Sequence, residues 1–242
     1  CCLRGGFGDD GEAELRAGAT VLTSGGYAAS RALFDELHPG VTVLLGARHT
    51  SQGEGLVAAR KIGAGFRGAE HHLSTVGGIE NGPEPGTSDL WEALGNTNAN
   101  NRVPREIYVN ARGERYIAED NPSQDAQERA LQAQGGRSWL VFDDAAIDDG
   151  DPLVVGWSGE MLREHAEQGQ IVWRAGTAEE LARLAGIDPA GLARTVAAWN
   201  GACSAGSDPL GRTALGHPLA TTPLYALRSD GVTVISFGGL TV

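Results

Sequence analysis

The sequence predicts an α+β fold, and three stretches of its 242 residues carry the prediction. Residues 104–120, PREIYVNARGERYIAED, read as two short strands, 106–110 and 115–119, with Ile, Val or Tyr at alternating places and a turn at Gly113. That is the pattern of a hairpin. Residues 136–144, GRSWLVFDD, are an apolar run of strand length and suit a central strand. Residues 177–200 read as two successive helices: Thr177 and Glu180 make a capping box, Gly186 closes the first helix, and Asp188-Pro189 opens the second, which runs to Trp199 or Asn200.

Composition narrows the functional classes. Hydrophobic residues are 41% of the chain and charged residues 21%, ordinary proportions for a globular protein long enough to bury a sizeable core in one large domain or two small ones. No apolar run approaches the roughly 18 residues of a membrane helix, so no membrane span is expected. The formal net charge is −12 and Lys61 is the single lysine. With no basic stripe to neutralise phosphates, nucleic acid is not an expected partner. Cys1, Cys2 and Cys203 have no metal-ligand spacing and point to a reduced, cytoplasmic compartment. The N-terminus has no signal-peptide pattern. There is no initiator Met, Met161 being the single methionine, and the chain reads as a fragment.

Residues 3–15 read as the tail of a β-meander with a Gly/Asp turn at 8–11. Residues 19–22 follow as a buried strand that ends in Thr23, Ser24, Gly25 and Gly26. A glycine pair there lets the backbone approach a ligand or another chain, and serves equally well as a tight turn. A helical segment over 28–37 stops at His38-Pro39-Gly40. The loop 51–55, with Gly53, Glu54 and Gly55, then opens a helix over 56–62 that closes on Gly63. Such a loop presents unpaired N–H groups and a positive dipole end to an anionic or carbonyl group. His71 and His72 would point to opposite faces of a strand and, with His49, are read as satisfied side chains with no metal site. Residues 76–101, rich in Gly, Pro and Asn, read as a loop between domains with a single turn at 89–94. Residues 123–134 have a helical composition that starts at Ser123, and residues 159–168 form a helix with Met161 and Leu162 inward. The Leu, Ala and Trp199 spacing of the later helix pair is core packing.

The segments and their order resemble the fumarate reductase and 3-ketosteroid dehydrogenase family of flavoproteins. The hairpin is similar to that family's ilVN..G.RF.nE, with Tyr116 in place of Phe. ATVLTSGGY resembles vvlATGGf, and HTSQGEGLVAARKIGAG resembles t.GdG..mA...GA, with Glu54 in place of Asp. The strand at 136–144, the helix pair at 177–203 and the closing stretch from Asp208 through Gly238 and Gly239 also have counterparts in the family's order. The resemblance covers about residues 19–242.

This resemblance implies a capping, substrate-facing domain over residues 77–224, set between two pieces of a partial, Rossmann-like α/β FAD-binding domain, residues 1–76 and 225–242. It implies FAD as cofactor and hydride transfer between the flavin and a C–C bond next to a carbonyl of a small-molecule substrate. The electron-transfer partner is left open. Thr23, Ser24, Gly25, Gly26, Gly53, Glu54, Gly55, Gly238 and Gly239 fall at family positions near the cofactor, and Arg102 matches an arginine on the family's proton path. Ser123 stands where the family has a proton-donating Arg or a catalytic Tyr, and its hydroxyl is far too weak an acid to replace either alone. The family's substrate histidines fall at Thr75 and Ile235. Dicarboxylate reduction needs fixed cations and a proton source, so a neutral ketone or steroid-like substrate is expected over fumarate. No GxGxxG in this chain follows a strand and opens a helix. That leaves a rival expectation, a truncated and catalytically inactive cap fragment that does not hold FAD by itself.

Overall fold

The computed structural model describes residues 2–6, 12–90 and 102–241, with side chains over 17–90 and 102–241. At the N-terminus β1 (Cys2–Gly6) and β2 (Glu12–Arg16) pair antiparallel, as the meander requires, while the turn expected at 8–11 lies outside the described residues. Helix α1 (Arg31–Leu37) starts where the Ser30 hydroxyl accepts from Leu33 N–H and stops at His38. Next come β3 (Leu44–Leu45), α2 (Glu54–Lys61), β4 (Gly65–Arg67) and β5 (Thr75–Gly78). The strand β5 occupies the start of the stretch expected to be loop, because it finds a partner about 155 residues further along the chain. Of the turn expected at 89–94, all but Asp89 and Leu90 lies outside the described residues.

The middle of the chain supplies β6 (Ile107–Val109), α3 (Gln124–Ala133), β7 (Trp139–Asp143), α4 (Asp144–Ile147), α5 (Gly159–Gln168), β8 (Val172–Ala175), α6 (Ala178–Ala185), α7 (Pro189–Ala205) and β9 (Leu224–Arg228). Its sheet is antiparallel, in the order β6-β7-β9-β8. Alternate residues of β7 serve two cores: Leu140 and Phe142 pack with Leu162, Val154 and Trp157, while Trp139 and Val141 pack with Leu181, Leu192 and Trp199. A strand covered on both faces reads as an unbroken apolar run. The chain then returns through β10 (Asp230–Thr233), parallel to β3 and antiparallel to β5, and β11 (Gly239–Thr241), antiparallel to β4. The division expected after Leu224 falls inside β9, which is paired throughout with β7 and β8.

Four local expectations are corrected. The hairpin keeps its first strand, but its second, 115–119, is reduced to a single bridge from Arg115 to Val109. The strand expected over 19–22 is coil, and Val21 is 83% exposed. Among the described residues no strand pairs with it. Met161 lies outward, because Leu162 and Ala166, four residues apart, form the buried stripe of α5. Helix α7 continues beyond Asn200 to Ala205, ending on Gly206.

Candidate functional site

Three glycine-bearing turns from the two ends of the chain meet at one exposed surface. The first, residues 23–26, is exposed coil and leads into the buried Tyr27. The second is the N-terminus of α2, where Gly53 is the N-cap in a left-handed conformation with no side-chain cap, leaving the first-turn N–H groups uncapped by any side chain. The third is residues 236–239, which lead from β10 into the first residue of β11. Contact between them is close: a β-carbon at Gly55 would meet the Ser24 hydroxyl, and one at Gly26 the Ser236 hydroxyl, and each hydroxyl would have to rotate away. A β-carbon at Gly53 would lie 2.6 Å from Leu33 and 2.9 Å from Tyr27, and one at Gly238 would strike the Phe66 ring at 2.6 Å. Gly239 has open space around it. Thr23, Ser24, Gly25, Gly26, Gly53, Glu54, Gly55, Gly238 and Gly239 therefore lie on turns that the fold brings together.

Sequence reasoning missed the residues that fasten these turns. The Tyr27 amide donates to Ser236 Oγ at 3.3 Å, and the Tyr27 hydroxyl donates to the Phe237 carbonyl at 2.8 Å. The one available signal was that Tyr27 directly follows the glycine pair. Val21, Leu22, Ile235 and Phe237 expose apolar side chains beside these turns.

Arg102 and Ser123 are not part of this surface. Ser123 is exposed and caps α3, its hydroxyl accepting from Ala126 N–H at 3.2 Å. Arg102 is buried against Glu106, donating from Nη1 at 2.8 Å and from Nη2. Glu106 opens a larger network. Arg212 donates through Nη1 to the Glu106 carbonyl at 2.6 Å and to Glu119 at 3.2 Å, and through Nη2 to the Pro104 carbonyl. Arg115 grips Glu119 at 2.6 and 2.7 Å and Asp208 at 2.6 Å. Arg212 and Arg115 both lie over the Trp199 ring, their Cζ atoms 4.3 and 4.7 Å from its centroid. Trp199 is therefore more than packing.

Burial pushes Glu106 and Asp208 upward, but the Arg102 guanidinium beside Glu106 and the Arg115 hydrogen bond to Asp208 outweigh it and hold both below their ordinary values. A depressed carboxylate stabilises the fold above its unfolded value and loses that contribution as pH falls through its folded value. Thermal melting is therefore expected to be flat at neutral pH and to fall progressively below about the ordinary glutamate value of 4.5. Asp208→Asn is expected to shrink that acid limb, and an unchanged limb would sink the assignment. The histidines sit apart: His71 pairs with Glu70 at 3.5 Å, and the His72 ring lies 5.9 Å from that of His38.

Comparison with known proteins places the chain in a family. The sequence model of the FAD binding domain matches residues 7–242. The chain belongs to the FAD binding domain family. A probable fumarate reductase of Shewanella frigidimarina (strain NCIMB 400) is 24% identical over 219 residues, covering 88% of this chain and 33% of that protein. The urocanate reductase of Eggerthella lenta is 27% identical over 232 residues, 94% of this chain and 36% of that protein. This FAD binding domain chain thus spans about a third of the length of those relatives. In structure it is similar to the 3-ketosteroid Δ1-dehydrogenase of Sterolibacterium denitrificans, with a TM-score of 0.70 and 22% identity, covering 99% of this chain and 48% of that one. It is also similar to a flavocytochrome c3 fumarate reductase in its open conformation, with a TM-score of 0.65 and 22% identity, covering 95% and 37%. These two likenesses concern the fold.

FAD is the family's cofactor, and the residues present fit one edge of it. Close-packed glycine turns bring backbone N–H and C=O groups to the surface, the first turn of α2 adds a positive dipole end, and exposed apolar side chains flank them. The described helices include none long and apolar enough to cross a membrane.

Proposed function

We propose that this chain is the flavin-contacting and substrate-capping part of an FAD-dependent oxidoreductase, with the capping unit over residues 77–224 and FAD-binding pieces at 1–76 and 225–242. The observation that carries the reading is the meeting of residues 23–26, 53–55 and 236–239 on one surface. When bound, FAD supplies the hydride chemistry next to a substrate carbonyl. Thr23, Ser24, Gly25 and Gly26 and the first turn of α2 hold its edge, while Gly238 and Gly239 approach from the returning chain. The strands β6, β7 and β8 with their helices, and β9 through which the chain passes from the capping unit to the returning FAD-binding piece, cover the substrate and exclude water.

The substrate proposed is a neutral ketone or steroid-like molecule. Arg102, the one matched cation, is buried and bonded to Glu106 and is not placed to hold a substrate carboxylate. Ser123 is occupied as a helix cap and contributes no acid. A second reading, an unsaturated carboxylate, is favoured by relatives named for fumarate, urocanate and acrylate.

Expression of the longest reading frame that contains this chain, assayed as a dehydrogenase with a 3-ketosteroid and as a reductase with fumarate, tests these readings. Steroid turnover with negligible fumarate turnover is the expected result, and strong fumarate turnover would refute the substrate assignment. Turnover of neither, with no flavin bound, would favour an inactive cap fragment. The 242-residue chain by itself is expected to lose flavin absorbance on desalting, since neither GxGxxG stretch of its sequence opens a helix to cradle the diphosphate: residues 6–11 are followed by β2, and residues 63–68 follow α2 and contain β4.

A further inference from the structure

At the carboxyl end of β3 lies a cavity of about 310 Å³, within the range of small-ligand sites. One wall is the stretch from Leu45 to Gln52, which leads into Gly53, and the other is drawn from residues 83–89. Strand β3 runs parallel to β10, and the Gly46 amide donates to the Thr233 carbonyl at 2.8 Å. The cavity therefore sits at the edge from which residues 236–239 also leave, the edge where parallel strands gather their ligands. Its second wall is held rigidly. The Ser88 amide donates to the Leu45 carbonyl and the Leu45 amide to the Gly86 carbonyl, both at 3.0 Å. Asn81 and Asp89 exchange side-chain-to-backbone hydrogen bonds at 2.9 and 3.2 Å. The Thr87 hydroxyl is used within the turn, donating to the Glu84 carbonyl and accepting from the Glu84 amide. Ser88 differs: it is 6% exposed, and its hydroxyl has no hydrogen-bond partner. A buried hydroxyl left unpaired is costly, so a ligand oxygen that pairs with it is favoured.

We propose that this cavity is the substrate site and that Ser88 is its specificity-determining residue, donating to the oxygen of a neutral carbonyl compound. The use of the site in hydride transfer rests on the function proposed above; the cavity and its hydroxyl are properties of the chain. Two features select a neutral ligand. Among the described side chains that line the cavity two carboxylates, Glu84 and Asp89, outnumber the one arginine, Arg48, with His49 counted neutral. A dicarboxylate would meet like charge there. Leu45, Ala47 and Ala29 supply apolar surface for the carbon skeleton, while Ser88 offers one donor, enough for a ketone oxygen.

Backbone-amide NMR titration of the full 242-residue chain with cyclohexanone, cyclohexene and fumarate tests the site. Cyclohexanone is expected to shift the Gly46, Ala47 and Ser88 amides saturably, and fumarate to leave them unmoved at the same concentration. Ser88→Ala is expected to weaken cyclohexanone binding about 3- to 10-fold, the worth of one hydrogen bond, and to leave binding of cyclohexene, which has no oxygen, unchanged. The melting temperature of this variant should not fall, since the hydroxyl removed has no partner to lose. A merely structural serine would lower the melting temperature and spare the affinity. Ala47→Leu, which fills the cavity from the opposite wall, is expected to abolish the Ser88 shift, and it decides should Ser88→Ala fail to fold. No saturable shift in the parent, equal cyclohexanone affinity in Ser88→Ala, or fumarate bound more tightly than cyclohexanone overturns the proposal. Turnover by the longest reading frame separates the two ideas. Ketone turnover undiminished by Ser88→Ala would remove the site and leave the oxidoreductase, whereas Ser88-dependent binding without turnover would leave the site and remove that reading.

Discussion

Arg212→Ala is expected to destabilise the chain by about 3–5 kcal/mol, the usual cost of removing one partner from a buried ion pair. The Arg212 and Glu119 side chains are both 0% exposed, so no water replaces the lost guanidinium. Its removal orphans the Pro104 and Glu106 carbonyls, takes one of two arginines from Glu119, and strips one cation from the Trp199 ring. The desolvation of what is left behind, more than the Coulomb energy of the pair, sets the size of the effect. Urea unfolding followed by tryptophan fluorescence measures it, and a loss under about 1 kcal/mol would mean that the network is dispensable. Replacing Arg212 and Glu119 together by leucine is not expected to restore stability, as it often does for isolated pairs. Glu119 also accepts the Tyr108 amide at 3.0 Å and holds Arg115, and both would lose it.

Gly113→Ala is the second large effect, at about 2–5 kcal/mol from backbone strain and overpacking together. Gly113 has φ +72°, and a β-carbon there would press on the α7 backbone, 2.7 Å from Gly191 C and 2.8 Å from Leu192 Cα. Backbone has no rotamer by which to move away. The Asp188 amide donates to the Ala111 carbonyl at 2.9 Å, so this turn is what docks β6 onto the start of α7. Gly186→Ala is the control, because Gly186 has φ +73° with nothing within 4 Å. It should show the strain alone, about 1 kcal/mol. Equal losses at the two sites would refute the close-approach argument.

The sequence by itself determined the elements whose causes are local. Thr177 caps α6 through Glu180 N–H, Asp188 caps α7 through Gly191 N–H, and Gly186 ends α6 in the left-handed conformation. Each involves groups within a few residues, and the residue types needed are specific. The double burial of β7 is equally plain in WLVFD. The glycine turns could be named because close approach leaves a glycine in the sequence. Which turns would meet could be expected only by resemblance, and only the tertiary structure decided what joins them. Tyr27 finds Phe237 across 210 positions, and Arg115 finds Asp208 across 93. That second meeting is why residues 115–119 do not complete a hairpin: Arg115 and Glu119 alternate like strand residues, yet buried countercharges from distant chain hold them more strongly than one more rung of ladder. Residues 19–22 show the converse, since a strand-like sequence is not a strand until another segment supplies hydrogen-bond partners. Caps and turns satisfy their backbone groups from within. Strands and buried charges depend on partners whose distance along the chain no local pattern encodes.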